Sequence, residues 1–353
     1  MTNQNEEHFI SASGLVKIFR VADLEVVALQ GLDMEAGRGE VLALVGPSGS
    51  GKSTLLNALG GLDRPSAGKL MVDGRNLLKL NQAELTAYRR EKVGFVWQQT
   101  ARNLLPYLSA RANVELLMTL SGQSPGAKRK WANELLEAVG MIEYANQKPT
   151  QLSGGQQQRI AIACALANRP TILLADEPTG EVDWPTAQRI LALLRELRER
   201  YGLTIVMVTH DPRVAAQADR VIAIRDGRTS TETVRVEQDS FVAERAHTDG
   251  VEAALPVHVE ELVVLDSAGR LQIPGDQRAL ARIGKRAKVE LVDGGILIRP
   301  IDDDRIEVDE PTSEDGAETE YHSLYSAEPP APRASQNGQG RTKWRLWRSK
   351  RNA

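Results

Sequence analysis

Gly46-Pro47-Ser48-Gly49-Ser50-Gly51-Lys52-Ser53-Thr54 stands between the apolar run Val41–Val45 and the helical pattern Leu55–Leu59. A glycine-rich loop between a buried strand and a helix start, closed by Lys-Ser, is a phosphate-binding P-loop in its proper setting. The glycines permit backbone angles that curl successive N–H groups around a phosphate chain, and the helix that follows aims its positive end at the same anion. The spacing offers Lys52 to the β- and γ-phosphates, the Ser53 hydroxyl to Mg²⁺, and Thr54 to the phosphates. The chain is therefore expected to bind a nucleotide with Mg²⁺ and to build an α/β fold around this loop.

Working outward, Val41–Val45, Ile172–Ala175, Thr204–Val208 and Val221–Ile224 are continuously apolar. That is the pattern of strands buried on both faces, hence of a mainly parallel sheet covered by helices. Pro185–Tyr201 supplies such a cover: Ile190, Leu191, Leu193, Leu194 and Leu197 form one stripe, and arginines and glutamates form the other. Asp226-Gly227 marks a turn, and the charge-rich stretch after Thr229 has little to bury. The first domain is expected over residues 8–230, followed by a linker over 231–255.

With 353 residues and 41% hydrophobic content, the chain can hold one large domain plus appendages. Its apolar runs fall short of the roughly 20 residues that a membrane-spanning helix needs. The polar, acidic start lacks the basic and apolar regions of an export signal, so a cytoplasmic location is expected. Cys164 is the only cysteine, which excludes an intrachain disulfide and a cysteine-based metal cluster. The net charge of -3 hides segregation: an acidic stretch with Asp302, Asp303, Asp304, Glu307, Asp309 and Glu310 precedes a tail with Lys343, Arg345, Arg348, Lys350 and Arg351. The stretch 301–340 is poor in large apolar residues and is expected to be disordered, so residues 301–353 read as an acidic linker and a basic tail.

A smaller unit is expected over 256–300. Leu262–Leu265 and Leu271–Ile273 flank a turn at Gly269, a short helix follows near Asp276–Arg282, and Ala287–Val292 with Ile296–Ile298 suggest a second hairpin. So short a segment exposes too much surface to fold well alone, which favours pairing with a second copy.

Downstream of the P-loop stand Leu152-Ser153-Gly154-Gly155-Gln156, then a helix-like stretch Gln157–Asn168, then Ile172-Leu173-Leu174-Ala175-Asp176-Glu177. In that order these motifs resemble the signature and the Walker B strand of the ATP-binding cassette ATPases. Gln98 in Phe95-Val96-Trp97-Gln98 matches the Q-loop, Asp183 in Glu181-Val182-Asp183 the D-loop, and His210 in Val208-Thr209-His210-Asp211 the switch. Phe19 matches the aromatic position that stacks adenine, although a Phe near an N-terminal strand is commonly core. The resemblance covers about residues 9–230. It implies a P-loop cassette with a mainly parallel sheet, antiparallel N-terminal strands and a helical subdomain near 98–165.

The residues have chemical reasons for those positions. Asp176 can hold Mg²⁺ through a water while Ser53 holds it directly. Glu177, one residue on, can polarise or deprotonate an attacking water. Taken alone, a strand-terminal Asp-Glu pair reads equally as a cap for the next helix. His210 can donate to the γ-phosphate and Gln98 can contact both metal and water, roles carried by their family positions. Ser153 and the N–H groups of Gly154 and Gly155 form a second phosphate cradle at a helix start, with Gln156 closing the motif. One chain cannot bring both cradles to one ATP. The resemblance implies two cassettes, with Asp183 at their junction, sandwiching two nucleotides.

Asn103-Leu104-Leu105-Pro106, Ala112-Asn113-Val114-Glu115 and Asp176-Glu177-Pro178-Thr179-Gly180 are similar to the lipoprotein-release, macrolide-export and cell-division branch. That implies a separate FtsX-like permease, a docking groove on the helical subdomain, and a peripheral place on the cytoplasmic face of the plasma membrane. Cys164 stands where that branch usually has Arg, and Glu181-Val182 where Asn-Leu is common, but neither change removes a catalytic group. Residues 262–300 resemble the swapped-hairpin fold of AbrB-type regulators. Such modules interleave as dimers and many bind DNA through basic residues such as Arg270; dimerisation is the favoured expectation. The tail Lys343-Trp344-Arg345-Leu346-Trp347-Arg348 suits an anionic membrane surface, with a solvated end or nucleic acid contact as alternatives. A non-transport ATPase acting on ribosomes or nucleic acid is the competing function, ranked behind because the chain has one cassette and no long coiled-coil insertion.

Overall fold

The computed structural model describes residues 8–21, 24–99, 103–236, 258–266, 268–284, 286–292 and 295–300. The chain divides into two units, Met1–Pro311 and Thr312–Ala353. The disordered segment and basic tail expected over 301–353 lie outside the described residues, as do 237–255 of the expected linker and the first two residues of the unit expected over 256–300.

The P-loop strand sits at the centre. β3 (Val41–Val45) is buried at every position and pairs in parallel with β8 (Thr204–Val208) on one side and β9 (Arg220–Arg225) on the other. Beyond β8 come β7 (Ile172–Asp176) and β6 (Val93–Val96), again parallel. Beyond β9 come two antiparallel strands, β10 (Arg228–Val236) and β11 (His258–Val263), which complete a seven-stranded sheet. The sequence signature of the parallel strands follows from this placement, because helices leave neither face wet.

A second, antiparallel sheet has the order β2-β1-β4-β5, built from β1 (Ile10–Val21), β2 (Leu24–Ala36), β4 (Ala67–Val72) and β5 (Arg75–Asn76). Leu15, Leu29, Leu32 and Leu70 from this sheet join Leu42, Leu44, Val206 and Ile222 from the large one in a single apolar cluster. Leu55, Leu56 and Leu59 of α1 (Lys52–Leu59) belong to the same cluster, so the helix after the P-loop is wedged into the core. Each such leucine contributes about 1.5–3 kcal/mol of burial. Tyr88 of α2 (Gln82–Lys92) is fully buried beside them and its hydroxyl donates to Leu59 O at 2.7 Å.

The helical part consists of α3 (Ala110–Leu120), α4 (Pro125–Ala138) and α5 (Gly154–Ala165), packed through Val114, Met118, Leu135, Leu136 and Ile160. α5 starts at Gly154 rather than at Gln157 because Ser153 caps it. Its far end rests on β6: a Cβ placed on Gly94 would lie 2.6 Å from Ala165 O. α6 (Trp184–Tyr201) covers the sheet with the leucine stripe read from the sequence, capped by Asp183 and ended by Gly202 at φ 64. A short α7 (Pro212–Ala215) follows β8. Among the described residues, no helix is long and apolar enough to cross a membrane.

The domain boundary expected near residue 230 falls inside β10, and the first residues of the expected linker belong to the sheet. Composition misleads there because the polar residues are satisfied within the fold: Thr229, Ser230 and Thr231 are buried, and Thr229 Oγ1 donates to Asp33 O at 2.6 Å. β11 pairs with β10 instead of folding back on 271–273, and only an isolated bridge joins Leu265 to Leu271. The turn between them closes with Gly269 N donating to Asp266 O at 2.8 Å. A short α8 (Gly275–Leu280) and the hairpin of β12 (Ala287–Val292) with β13 (Gly295–Pro300) occupy the places read from the sequence. Arg270 is ion-paired to Asp266 at 2.7 Å, and its Nη2 lies 3.0 Å from where Gly31 of β2 would carry a Cβ.

Candidate functional site

The loop 46–51 is shaped by close approaches. A Cβ on Gly46 would lie 2.1 Å from Ile224 O, and one on Gly51 2.6 Å from Ala28 O, with φ of 140 and 104. Only glycine fits both positions. At Gly49, with φ 80, nothing lies within 4 Å of that point, so the loop opens there to solvent. α1 starts from Gly51 without a side-chain cap and without an acidic residue in its first turn. Its positive end is thus left available to an anion.

Lys52 lies across this mouth, buried, with Nζ donating to Gly46 O and Pro47 O, both at 2.8 Å. Burial pulls its pKa down, while the charges of Glu177 and Asp176 push it back up. Ser53 Oγ donates to Asp176 Oδ1 at 3.5 Å, so hydroxyl and carboxylate meet although β8 separates their strands. Burial raises the Asp176 pKa; the Ser53 hydrogen bond and Lys52 lower it, and Glu177 raises it further. Two hard oxygen donors beside a phosphate cradle suit Mg²⁺, which takes one or two protein groups and fills its shell with phosphates and water.

Glu177 is the hub. It leaves β7 with φ 48, a left-handed conformation uncommon for a side chain other than Gly, Asn or Asp. Its N–H donates to Val208 O at 3.0 Å, which ties the turn to β8. Gln98 Nε2 donates to Glu177 Oε2 at 2.8 Å, and His210 Nδ1 lies 2.9 Å from Glu177 Oε1. Gln98, Glu177 and His210 follow β6, β7 and β8, three neighbouring parallel strands, so all three converge at the carboxyl ends where such sheets bind ligands. A strained backbone at this point is of the kind that surrounding structure must hold in place.

The second cradle stands apart. Ser153 caps α5 in a capping box: Gln156 N donates to Ser153 Oγ at 3.3 Å, and Ser153 N to Gln156 Oε1 at 2.9 Å. Asp183 accepts from Thr186 N at 3.2 Å, and hydrogen bonding to Thr186 holds its carboxyl below the usual range. Ser153, Gly154, Gly155, Gln156 and Asp183 line one cavity of about 530 Å³ that includes no described P-loop residue. Phe19 is 37% exposed on the β1–β2 ribbon, with Lys17 Nζ over its ring at 4.7 Å from the centroid.

Two residues around Gln98 have no role readable from the sequence. Asn103 Oδ1 accepts from Trp97 N at 2.9 Å while its Nδ2 donates to Trp97 O at 3.0 Å. Asn113 is buried and accepts from Leu105 N at 2.7 Å while donating to Ser109 O at 3.0 Å. Both stand in stretches that mark the branch resemblance, yet a lone asparagine in a loop carries no pattern that announces a backbone clamp.

A phosphate cradle opening onto paired carboxylates, with a second cradle turned to a separate face, defines a P-loop nucleoside triphosphatase of the cassette class. The family model described as ABC transporter matches residues 29–180. The chain is 44% identical over 227 residues to an uncharacterized ABC transporter ATP-binding protein of Methanocaldococcus jannaschii, covering 63% of this chain and 96% of that one. It is 43% identical over 249 residues to the macrolide export ATP-binding/permease protein MacB of Hahella chejuensis. That match covers 70% of this chain, which spans only 38% of the MacB length. A solved structure, the dimeric post-hydrolysis state of the ATP-binding cassette MJ0796 bound to ADP and Pi, aligns with TM-score 0.58 and 42% identity over 63% of this chain and 97% of that one. The chain belongs to the ABC transporter family, as an ATP-binding cassette. It is an ATPase subunit that works with ATP and Mg²⁺.

Proposed function

We propose that this cassette powers a separate membrane permease in an export or mechanotransmission system, by closing on a second copy of itself over two ATP molecules. The observation that carries the reading is Glu177, bracketed by Gln98 at 2.8 Å and His210 at 2.9 Å beside the Ser53–Asp176 pair. Ser53 and Asp176, with Gln98, would hold Mg²⁺, which supplies charge neutralisation at the β- and γ-phosphates. Lys52 exchanges its two loop carbonyls for phosphate oxygens. Glu177 orients the attacking water and takes its proton on a carboxylate oxygen, while His210 donates to the γ-phosphate. The P-loop from Gly46 to Thr54 wraps the phosphates with its backbone N–H groups, Pro47 having none to give, and Phe19 stacks on adenine.

Ser153, Gly154, Gly155 and Gln156 complete the site of the partner cassette, with Asp183 at the junction. The open cavity at the signature and the dimeric state of the solved relative support this arrangement. An FtsX-like permease docks on the helical subdomain, which places the cassette on the cytoplasmic face of the plasma membrane. The export branch is supported by the likeness to MacB, an export ATP-binding/permease protein. The 262–300 segment acts in dimerisation rather than on DNA: Leu280, Leu291 and Ile296 are exposed at 84%, 79% and 70%, while Arg270 is already ion-paired. The basic Trp-containing tail meets an anionic membrane surface.

Two measurements test this reading. Phosphate release by the full chain requires Mg²⁺ and is lost in Lys52→Ala. Mass spectrometry of the protein purified from gently solubilised native membranes identifies a permease; ribosomal proteins or DNA in its place would overturn the transport reading.

A further inference from the structure

We infer that Asn103 is a positioning residue for ATP hydrolysis, setting where the Gln98 side chain stands, and that Asn113 ties this arrangement to the first turn of α3. The inference rests on the role proposed for Gln98. The Asn103 amide pairs with both backbone groups of Trp97, at 2.9 and 3.0 Å, and lies 3.4 Å from Gln99 O. It therefore grips the chain immediately before and after Gln98. Trp97 is held from the other side as well, its ring stacked on Phe95 at 3.8 Å between centroids. Gln98 is thus carried on a backbone fixed by a neighbouring side chain, beyond the last ladder bond of β6.

Asn113 performs the matching task further along. Its side chain accepts from Leu105 N at 2.7 Å and donates to Leu105 O, Leu108 O and Ser109 O at 3.2, 3.3 and 3.0 Å. Leu104, adjacent to Asn103, is buried. Residues 103 to 105 therefore have one end pinned to the backbone of Trp97 and Gln99, on either side of Gln98, and the other to the α3 start. A shift of α3 would reach Gln98 through two amide groups rather than through the sheet. Neither asparagine touches a reacting atom. A displacement of about 1 Å at a group that aligns water can cost about a hundredfold in rate.

The test uses the full chain and steady-state phosphate release, with Gln98→Ala as reference. In Asn103→Ala the kcat is expected to fall about tenfold to a hundredfold while the KM for ATP stays within about twofold. The Mg²⁺ concentration for half-maximal rate should rise in step with that of Gln98→Ala. Because Asn103 acts through Gln98, the double variant should be no slower than Gln98→Ala alone. Asn103→Asp, which keeps the acceptor and loses the donor, should also slow turnover, and retained nucleotide binding shows that each variant is folded. Multiplicative losses in the double variant, or full-rate turnover in Asn103→Ala beside a slow Gln98→Ala, would overturn this inference alone. Full-rate turnover in Gln98→Ala would overturn the role of Gln98 and this inference with it.

Discussion

Glu177→Gln isolates the chemistry from the fold. Glutamine has the same length and branching, and both present contacts survive the exchange: its carbonyl oxygen can accept from Gln98 Nε2, and its amide can donate to a neutral His210 Nδ1. The left-handed backbone at φ 48 and the bond from residue 177 N to Val208 O do not depend on the carboxylate. What disappears is the proton acceptor. General-base assistance is worth about 10²- to 10⁴-fold, which at about 1.36 kcal/mol per tenfold is about 3–5 kcal/mol of transition-state stabilisation. The expected result is kcat lowered by that factor, with equilibrium binding of ATP unchanged and ATP-driven dimers accumulating because they no longer reopen. Single-turnover phosphate release and sedimentation, run on the same preparation, read both quantities. A kcat within about threefold of the parent, with binding intact, would refute the assignment of Glu177 as base.

Four further outcomes follow from described geometry. Asp176→Asn should abolish turnover yet raise the melting temperature of the nucleotide-free chain at neutral pH. Burial lifts the folded pKa above the unfolded 3.8, so the native state binds more protons between those two values and loses stability as pH rises through that window; the advantage of Asn should shrink as pH falls toward 3.8, and an equal or lower melting temperature at neutral pH contradicts this. Ser153→Ala removes one half of the α5 capping box and should cost about 1 kcal/mol in urea unfolding, together with weaker ATP-driven dimerisation; an unchanged midpoint would refute the cap. Gly46→Ala drives a methyl to 2.1 Å from Ile224 O at φ 140 and should cost more than about 3 kcal/mol, read as lost soluble yield or a lower melting temperature. Deleting residues 256–353 should lower the dimer fraction without nucleotide and, by stripping β11 from β10, the melting temperature as well; an unchanged dimer fraction in sedimentation removes the dimerising role.

The central sheet was legible because strands buried on both faces must be apolar throughout, as Val41–Val45 and Thr204–Val208 are. The cradles were legible because anion binding by backbone demands glycine at fixed spacing. β10 was hidden for the opposite reason: its Thr229, Ser230 and Thr231 are buried, with Thr229 Oγ1 donating to Asp33 O, and polar composition read as a linker. The same holds for the asparagine clamps, whose partners are backbone groups and leave no trace in side-chain pattern. The left-handed turn at Glu177 is equally silent, since the bond that ties it down goes to Val208 O on a strand distant in sequence.

Gly94 gives the Gln98 strand and the capped start of α5 a common reference. The hydrogen on its Cα lets Ala165, the last residue of the 12-residue α5, rest on the strand that leads to Gln98. The opposite end of that helix, about 18 Å away, is Ser153. The strand that leads to Gln98 and the capped start of α5 at Ser153, the groups proposed for the metal side and for the partner's nucleotide, are therefore gauged from one contact near neither of them. A bulkier residue at 94 would leave every catalytic group intact and still detune the molecule, as a shim under one leg misaligns an instrument whose optics are sound.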